Sequence, residues 1–510
     1  MAKVPNPPSG QSEPGLRPRT VQDYIDERPT WPDGTHVPSV PMTKMQLRIW
    51  MLAAAGKFFE GFVVFMTGVA LPLIARQFEI SSAQKGLVTA ASLCGILIGA
   101  VGLGSLSDHF GRKSMFVVEM IIFTAFLGAA VFCTSFPSLI FCLFGLGLAL
   151  GCDYPTAHMI ISESIPSTSR GRLVLGAFAF QAVGALGGAA VGYAVLVAVP
   201  NLNAWRWMFA TAVIPALIVT IGRFYITESA NWLHTRGATD RAKVAAGRLL
   251  ERKPQYPSNI VLLQQPGTTT GHGHGGGSIL SLFQKRYRRA TILASVPWFL
   301  QDLSTYGIGI FTPTILATAL GHHAEHVRSM SDLIANATAA AKGDAMITLL
   351  LIIGIVFAVM LADKLGRIHL QVFGFIGCAV GLLIASLSVD FTGSLKITLI
   401  FVGFMLFNFM TNLGPNAQTY LLSGEVFPTA IRGSGAGFAA AFAKIGAVAT
   451  AFLFPILLTT IGTRFLLYGL VVSSVLGAVV TWMYRIETAG VNLDQIGEET
   501  SQADGARAIA

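Results

Sequence analysis

Six ionisable side chains lie in stretches that are otherwise apolar: Lys57, Glu60, Glu119, Asp153, Asp302 and Lys444. A charge carried into hydrocarbon is costly unless it is paired or lines a wet cavity, so each marks a function by default. Lys444, Asp153 and Asp302 offer one ammonium and two carboxylates. Tyr154, Gln181 and Asn416 add phenol and amide groups. Trp298, Asp302 and Tyr306 are spaced i, i+4, i+8 and share one helix face. Together these groups suit a small hydrogen-bonding solute, by preference an anion. Lys444 would attract it, and ionised Asp153 and Asp302 would repel it. A carboxyl that carries its proton could instead donate a hydrogen bond to the anion, then lose the proton on the far side and help expel the load. The chemistry is then proton coupling, with Asp302 the favoured carrier and Asp153 and Glu60 as further candidates. The bland alternative is a structural ion pair, Asp302–Lys444 or Asp153–Lys444.

The elements that must position these groups are long apolar runs. The 510 residues are 53% hydrophobic and only 12% charged, about half the charge of a soluble domain. Apolar runs of about 20 residues, each able to cross a bilayer, recur in two sets of six. The first set is expected at 48–75, 86–106, 114–134, 138–162, 172–198 and 204–226, and the second at 289–318, 344–363, 369–389, 394–423, 433–459 and 463–485. The fold class is an all-α membrane protein of twelve transmembrane helices in two pseudo-symmetric six-helix bundles. The net charge of +9 is explained by basic residues in short loops between the runs, as the positive-inside rule requires, rather than by nucleic acid. The same rule places both termini and the central segment in the cytoplasm. The expected organisation is a disordered cytoplasmic tail over 1–44, an N-terminal bundle over 45–226, a cytoplasmic central loop over 227–288, a C-terminal bundle over 289–486 and a cytoplasmic tail over 487–510. Residues 240–250 are expected to form a short amphipathic helix.

The two halves repeat each other. Glu163, Pro166, Arg170 and Gly171 return as Glu425, Pro428, Arg432 and Gly433 at one constant offset. Gly104, Asp108, Gly111 and Arg112 after the second run are echoed by Asp363, Gly366 and Arg367 after the eighth. These acids and bases at helix ends read as a charge latch, pairing across or within the halves and released on rocking. The repeat also gives depth. Asp153, Gln181, Asn416, Lys444 and Asp302 lie nine to thirteen residues from the nearest helix-end mark. At about 1.5 Å per residue in a core about 30 Å thick, all five fall near the midplane. Transporters bind their solute at that level.

Gly104-Ser-Leu-Ser-Asp-His-Phe-Gly-Arg-Lys113 resembles the signature loop of the major facilitator superfamily, and Asp363-Lys-Leu-Gly-Arg367 its second-half copy. Within that superfamily, Asp153-Tyr154-Pro155, Gln181, the Trp298/Asp302/Tyr306 triplet, Gly414-Pro415-Asn416 and Lys444 resemble the phosphate:proton symporters. The resemblance implies alternating access and roles in solute or proton binding for Asp153, Tyr154, Gln181, Trp298, Asp302, Tyr306, Asn416 and Lys444. Lys57-Phe-Phe-Glu60 departs from the aspartates that the family carries in its first span. Glu60 there replaces a proton site or pairs with Lys57 at i+3. The ending of the sixth run, Trp205-Arg206-Trp207 through Glu228 to Leu233, resembles sugar porters and bacterial metabolite:proton symporters.

The expected function is therefore a monomeric, proton-coupled carrier of the plasma or bacterial inner membrane, moving phosphate or another small anion. A sugar or organic acid is the alternative solute, and a nutrient receptor that binds without transporting is the rival of another class. No catalytic triad, nucleotide loop or strong metal motif is present, so neither enzyme activity nor a cofactor is expected. The histidines at 272, 274, 322, 323 and 326 read as loop residues, and Cys94, Cys133, Cys142, Cys152 and Cys378 as small buried apolar groups.

Overall fold

The computed structural model describes residues 19–27, 42–100, 106–166, 170–251, 262, 279–320, 330–428 and 431–488. In chain order the helices are α1 (Val21–Asp26), α2 (Lys44–Gln77), α3 (Ser82–Ile98), α4 (Leu106–Phe110), α5 (Arg112–Val131), α6 (Phe136–Ser164), α7 (Arg170–Ala198), α8 (Ala204–Phe224), α9 (Ala230–Thr235), α10 (Thr239–Leu250), α11 (Arg288–Leu320), α12 (Met330–Leu365), α13 (Arg367–Leu387), α14 (Gly393–Leu413), α15 (Pro415–Glu425), α16 (Arg432–Thr460) and α17 (Gly462–Met483). Ten helical segments are long and apolar enough to cross a membrane. The shorter α3, with 17 residues, and the 33-residue α11 complete the twelve crossings. The apolar character of α11 is diluted by Gln301, Asp302 and Thr305, which belong to the site, and by Ser304, which is hydrogen-bonded to Ser473 of α17. Large apolar side chains lie bare on the outside of the bundle, Ile214 at 69% and Val472 at 57% exposure, as expected of a surface solvated by lipid tails.

Local signals start the helices where the sequence allows. Thr43 and Ser81 cap α2 and α3, each in a reciprocal box with a glutamine three residues on, Gln46 and Gln84. Gly111 and Gly366 precede α5 and α13 with φ of 100° and 85°, a backbone region that glycine alone enters freely. Each of these two helix starts is closed by a distant carboxylate. Glu228 accepts the Lys113 N–H at 2.9 Å. Glu487 accepts the N–H groups of Arg367 and Ile368 at 2.9 and 3.1 Å.

Within the first half, α2 and α7 approach through small residues. A methyl at Gly61 would sit 2.0 Å from the Gln181 carbonyl oxygen, and one at Gly184 would sit 1.9 Å from that of Phe58. The halves meet where Gly68 of α2 abuts the Ile310 carbonyl of α11 and where Thr89 of α3 donates to the Ala451 carbonyl of α16 at 2.8 Å. Nearer the face that carries α9 and α10, the halves touch through Phe178 of α7 stacked on Tyr420 of α15, with centroids 4.4 Å apart.

The structure differs from the sequence reading at three places. The run expected at 394–423 is broken into α14 and α15 at Gly414, because Pro415 lacks an N–H and forces its predecessor out of helical geometry. Residues 20–26, expected in a disordered tail, form a capped turn of helix. Val21, Tyr24 and Ile25 are buried in one apolar cluster with α9, α10 and the adjoining ends of α2, α6 and α7. Glu487 and Thr488, expected in the terminal tail, are hydrogen-bonded into the second half. The amphipathic helix expected at 240–250 is α10, buried along Ala242, Ala245, Ala246, Leu249 and Leu250.

Candidate functional site

The broken helix, α2, α7, α11 and α16 bring one polar cluster to the seam between the halves. Lys444 of α16 extends its ammonium to the Tyr306 hydroxyl at 2.7 Å, to Asp302 Oδ2 at 3.2 Å and to Glu60 Oε1 at 3.6 Å. Tyr306 in turn donates to Glu60 Oε1 at 3.1 Å. Gln181 Nε2 reaches both Glu60 Oε1 and the Tyr306 oxygen at 3.2 Å. Lys57, one turn before Glu60 on α2, holds Glu60 Oε2 at 3.3 Å. All five charged or phenolic groups are at most 5% exposed. The i, i+4, i+8 spacing on α11 does what it implies geometrically: Trp298, Asp302 and Tyr306 line one cavity.

Gln181, Asn416, Lys444, Thr305 and Asn412 line the same cavity, with apolar walls from Phe65, Phe178, Ala182, Ala185 and Leu351. Asn416, at the start of α15, donates to Asn412 at 2.6 Å and accepts from Gln301 at 3.1 Å. Gln301 also donates to Thr305 at 2.8 Å. The start of α15 thus faces the cavity, with the positive end of a half-helix directed inward. The open space is ≈ 30 Å³, enough for about two waters. In this state the charges are satisfied by one another, and a solute has to displace protein groups to enter.

Asp153 is placed elsewhere. Its Oδ1 accepts from Arg223 Nη2 at 2.7 Å, while Arg223 Nη1 holds Glu119 Oε1 at 2.8 Å and the Phe116 carbonyl at 2.7 Å. The other Asp153 oxygen lies against Gly56 of α2. Asp153 therefore has the depth of the cavity but does not line it; it points between α2 and α8, where a cation is waiting. An Asp153–Lys444 pair does not form. Of the expected structural pairs, Asp302–Lys444 is present. Glu60 does pair with Lys57 at i+3, and in addition faces the cavity cluster.

At the helix ends, Arg112 Nη2 lies 3.4 Å from Glu163 Oε1, and Arg367 Nε lies 3.3 Å from Glu425 Oε2. Both pairs join neighbours within one half, α5 to α6 and α13 to α15. Gly111 and Gly366 are the helix starts described above. Gly104 and the side chains of Tyr154, Asp108, Arg170, Asp363 and Arg432 lie outside the described residues, as do the loop histidines at 272, 274, 322, 323 and 326.

Residues 49–499 match the profile of a family described as sugar (and other) transporter. The chain belongs to the sugar (and other) transporter family. It is a multi-pass membrane transporter of the major facilitator class, not an enzyme. An Escherichia coli (strain K12) inner membrane metabolite transport protein, YgcS, is 29% identical to this transporter over 459 residues, covering 90% of this chain and 95% of that protein. A Schizosaccharomyces pombe (strain 972 / ATCC 24843) protein named as an inorganic phosphate transporter is 27% identical over 528 residues, covering 89% and 88%. The E. coli xylose transporter XylE, in a partially occluded inward-open conformation, superposes with a TM-score of 0.69 at 19% identity, over 88% of this transporter and all of XylE. That likeness concerns the fold alone.

Two buried charges of this transporter were not anticipated. Arg223 sits five residues before Glu228 at the end of the sixth apolar run and reads in sequence as a loop-side cation. The signal that could have found it is the pair Glu119 and Asp153, two acids at one depth with no cation between them. Asp344 of α12 is 1% exposed and its Oδ2 is without a hydrogen-bond partner. Lying seven residues before the cavity-lining Leu351, it falls on the same helix face.

Proposed function

We propose that this protein is a proton-coupled symporter for a small anion, with inorganic phosphate the first candidate, and that the Lys444 cluster is where solute and proton meet. The observation that carries this is the buried ammonium of Lys444 at the seam of the halves, flanked by Asp302, Tyr306, Gln181 and Asn416. An anion is the solute class that gains most from an ammonium, two amides, a phenol and a half-helix start in a site of low dielectric. Alternating access would open the cavity by rocking the halves about it. The Phe178–Tyr420 stack would part on one side, and the α2–α11 and α3–α16 contacts on the other. The latch pairs Arg112–Glu163 and Arg367–Glu425 would hold each half rigid as it moves. The face carrying α1, α9 and α10 is taken as cytoplasmic, in a bacterial inner membrane.

The name of the family favours a second reading, a sugar or organic acid on the same framework, with Trp298 and Phe178 as stacking surfaces. A nutrient receptor would bind solute here without moving it. Proteoliposomes holding the purified protein, assayed for uptake of labelled phosphate, carboxylates and sugars under an imposed proton gradient, separate all three. We expect gradient-driven phosphate accumulation, lost in Asp302→Asn while exchange persists. Full accumulation in that variant removes Asp302 from the coupling. Binding without accumulation in the parent protein makes it a receptor.

A further inference from the structure

The donors that a transported anion would need already converge on an anion, and it is the protein's own. Glu60 Oε1 receives the Tyr306 hydroxyl at 3.1 Å and the Gln181 amide at 3.2 Å, with the Lys444 ammonium at 3.6 Å. Glu60 Oε2 faces the Lys57 ammonium at 3.3 Å. These groups come from α2, α7, α11 and α16, on both sides of the seam. Glu60 itself is 1% exposed, and the cavity lined by its partners Tyr306, Gln181 and Lys444 holds only ≈ 30 Å³ of free space. A solute therefore cannot be added to this arrangement. It has to take a place already filled.

We propose that the Glu60 carboxylate is a tethered stand-in for the transported anion: it occupies the solute's oxygen positions in the empty carrier, is displaced when solute binds, and takes up one proton as it leaves. This rests on the anion-symport reading above and deepens it in two respects, the class of solute and the origin of coupling: the travelling proton sits on Glu60, and Asp302 stays ionised beside Lys444 as the fixed charge that makes that proton necessary. A carboxylate fills the place, so the displacing group is a single oxyanion that presents two oxygens in the same spacing: a carboxylate or one edge of a phosphate.

Charge counting gives the coupling. In the empty state Lys57 and Lys444 are balanced by Glu60 and Asp302, and the cluster is neutral. A bound monoanion adds one negative charge to a site where uncompensated charge is costly. One proton on Glu60, drawn from the medium on the side from which the solute arrives, restores neutrality. On the far side the proton leaves Glu60, the carboxylate swings back onto its donors, and the solute is expelled. Each monoanion thus travels with one proton and no net charge. A neutral sugar would leave the balance untouched and would not be coupled by this route. The other titratable groups around Glu60 are Tyr306 and Asp302 on α11, Lys444 on α16, Tyr420 on α15 and, behind Lys57, Asp153 of α6 with Arg223 of α8 and Glu119 of α5. The last three are bound to one another. Of the two carboxylates that remain, Asp302 takes Lys444, whereas Glu60 gathers Tyr306, Gln181, Lys444 and Lys57, so Glu60 is the carboxylate that the solute would replace.

The test is calorimetric titration of the full-length protein in detergent at pH 6, with inorganic phosphate and separately with benzoate, in buffers of different ionisation heat. The slope against that heat counts protons taken up. We expect about one proton per anion in the parent protein, since a monoanion needs a single compensating charge. For Glu60→Gln we expect none, with binding at least tenfold tighter because no tethered competitor remains. Parent protein that binds either anion without proton uptake overturns the proposal, whether or not the variant folds. So does Glu60→Gln that keeps the parent's melting temperature but binds no more tightly or still takes up a proton. Both outcomes leave anion transport standing. Parent protein that binds xylose or glucose but neither anion overturns the anion reading itself, and the displacement with it.

Discussion

Arg223→Met is the most informative single change to the first half. Arg223 is fully buried and contacts four acceptors: Glu119, Asp153, the Phe116 carbonyl and the Leu52 carbonyl, at 2.7 to 3.3 Å. Its guanidinium also lies 3.5 Å from the centre of the Phe116 ring. Methionine fills much of the volume and supplies none of the charge, so two carboxylates are left facing each other in a dry interior. Removing one partner of a buried ion pair costs about 3–5 kcal/mol, out of a folding free energy of about 5–15 kcal/mol. For a unit the size of one six-helix half, that lowers the melting temperature by on the order of 10 °C. The assay is thermal unfolding of purified protein by intrinsic tryptophan fluorescence. The triple variant Arg223→Met, Glu119→Gln, Asp153→Asn removes the stranded charges and should recover most of the loss, because a neutralised site needs no cation. Two results would refute the reasoning: an Arg223→Met protein melting within about 2 °C of the parent, less than 1 kcal/mol on this scale, or no recovery in the triple variant. Asp153→Asn alone extends the test to function. As a partner of Arg223 it should change stability more than solute affinity.

Three further outcomes follow from the packing. Lys444→Ala should weaken phosphate binding by at least tenfold, since a charge-assisted contact contributes about 1.5–3 kcal/mol; unchanged affinity in a titration would make the lysine purely structural. Gly184→Leu should abolish the peak of folded protein on size-exclusion chromatography, because even its first carbon would overlap the Phe58 carbonyl. A normal elution profile would show that α2 and α7 can separate. Asp344→Leu should unfold at the same temperature as the parent or higher, since it removes a buried carboxyl with an oxygen that bonds to nothing and fills the space with hydrocarbon. A clear drop would mean that the carboxyl has a partner it needs.

Much of this molecule is legible from its sequence because a bilayer leaves a chain few choices. Twenty apolar residues must cross as a helix, so the twelve crossings follow from run length alone. The face shared by Trp298, Asp302 and Tyr306 is equally local, a matter of helical period. What escapes is azimuth. Counting residues from a helix end gives the height of Asp153 but not its direction, and the direction is set by Arg223, seventy residues later, and by the gap at Gly56. The same limit hid the centrality of Glu60. Its i+3 lysine was visible, but Tyr306, Gln181 and Lys444 reach it from three other helices. The break at Gly414 was written in the Gly-Pro dipeptide, yet it lies inside a run whose hydrophobicity continues on both sides. Arg223 and Asp344 escaped because one looked like a helix-end charge and the other is a single acid in a long apolar stretch.

Glu228 and Glu487 each follow the last crossing of their own half, and each fastens the start of that half's third crossing. Each half is in this sense buttoned by residues that follow its own last crossing. A chain severed between 262 and 279 keeps both buttons, so the two fragments, made in one cell, should find each other and reassemble. Trimming the far end back to Tyr484 would instead cut off the second button and leave the start of α13 without the carboxylate that fastens it.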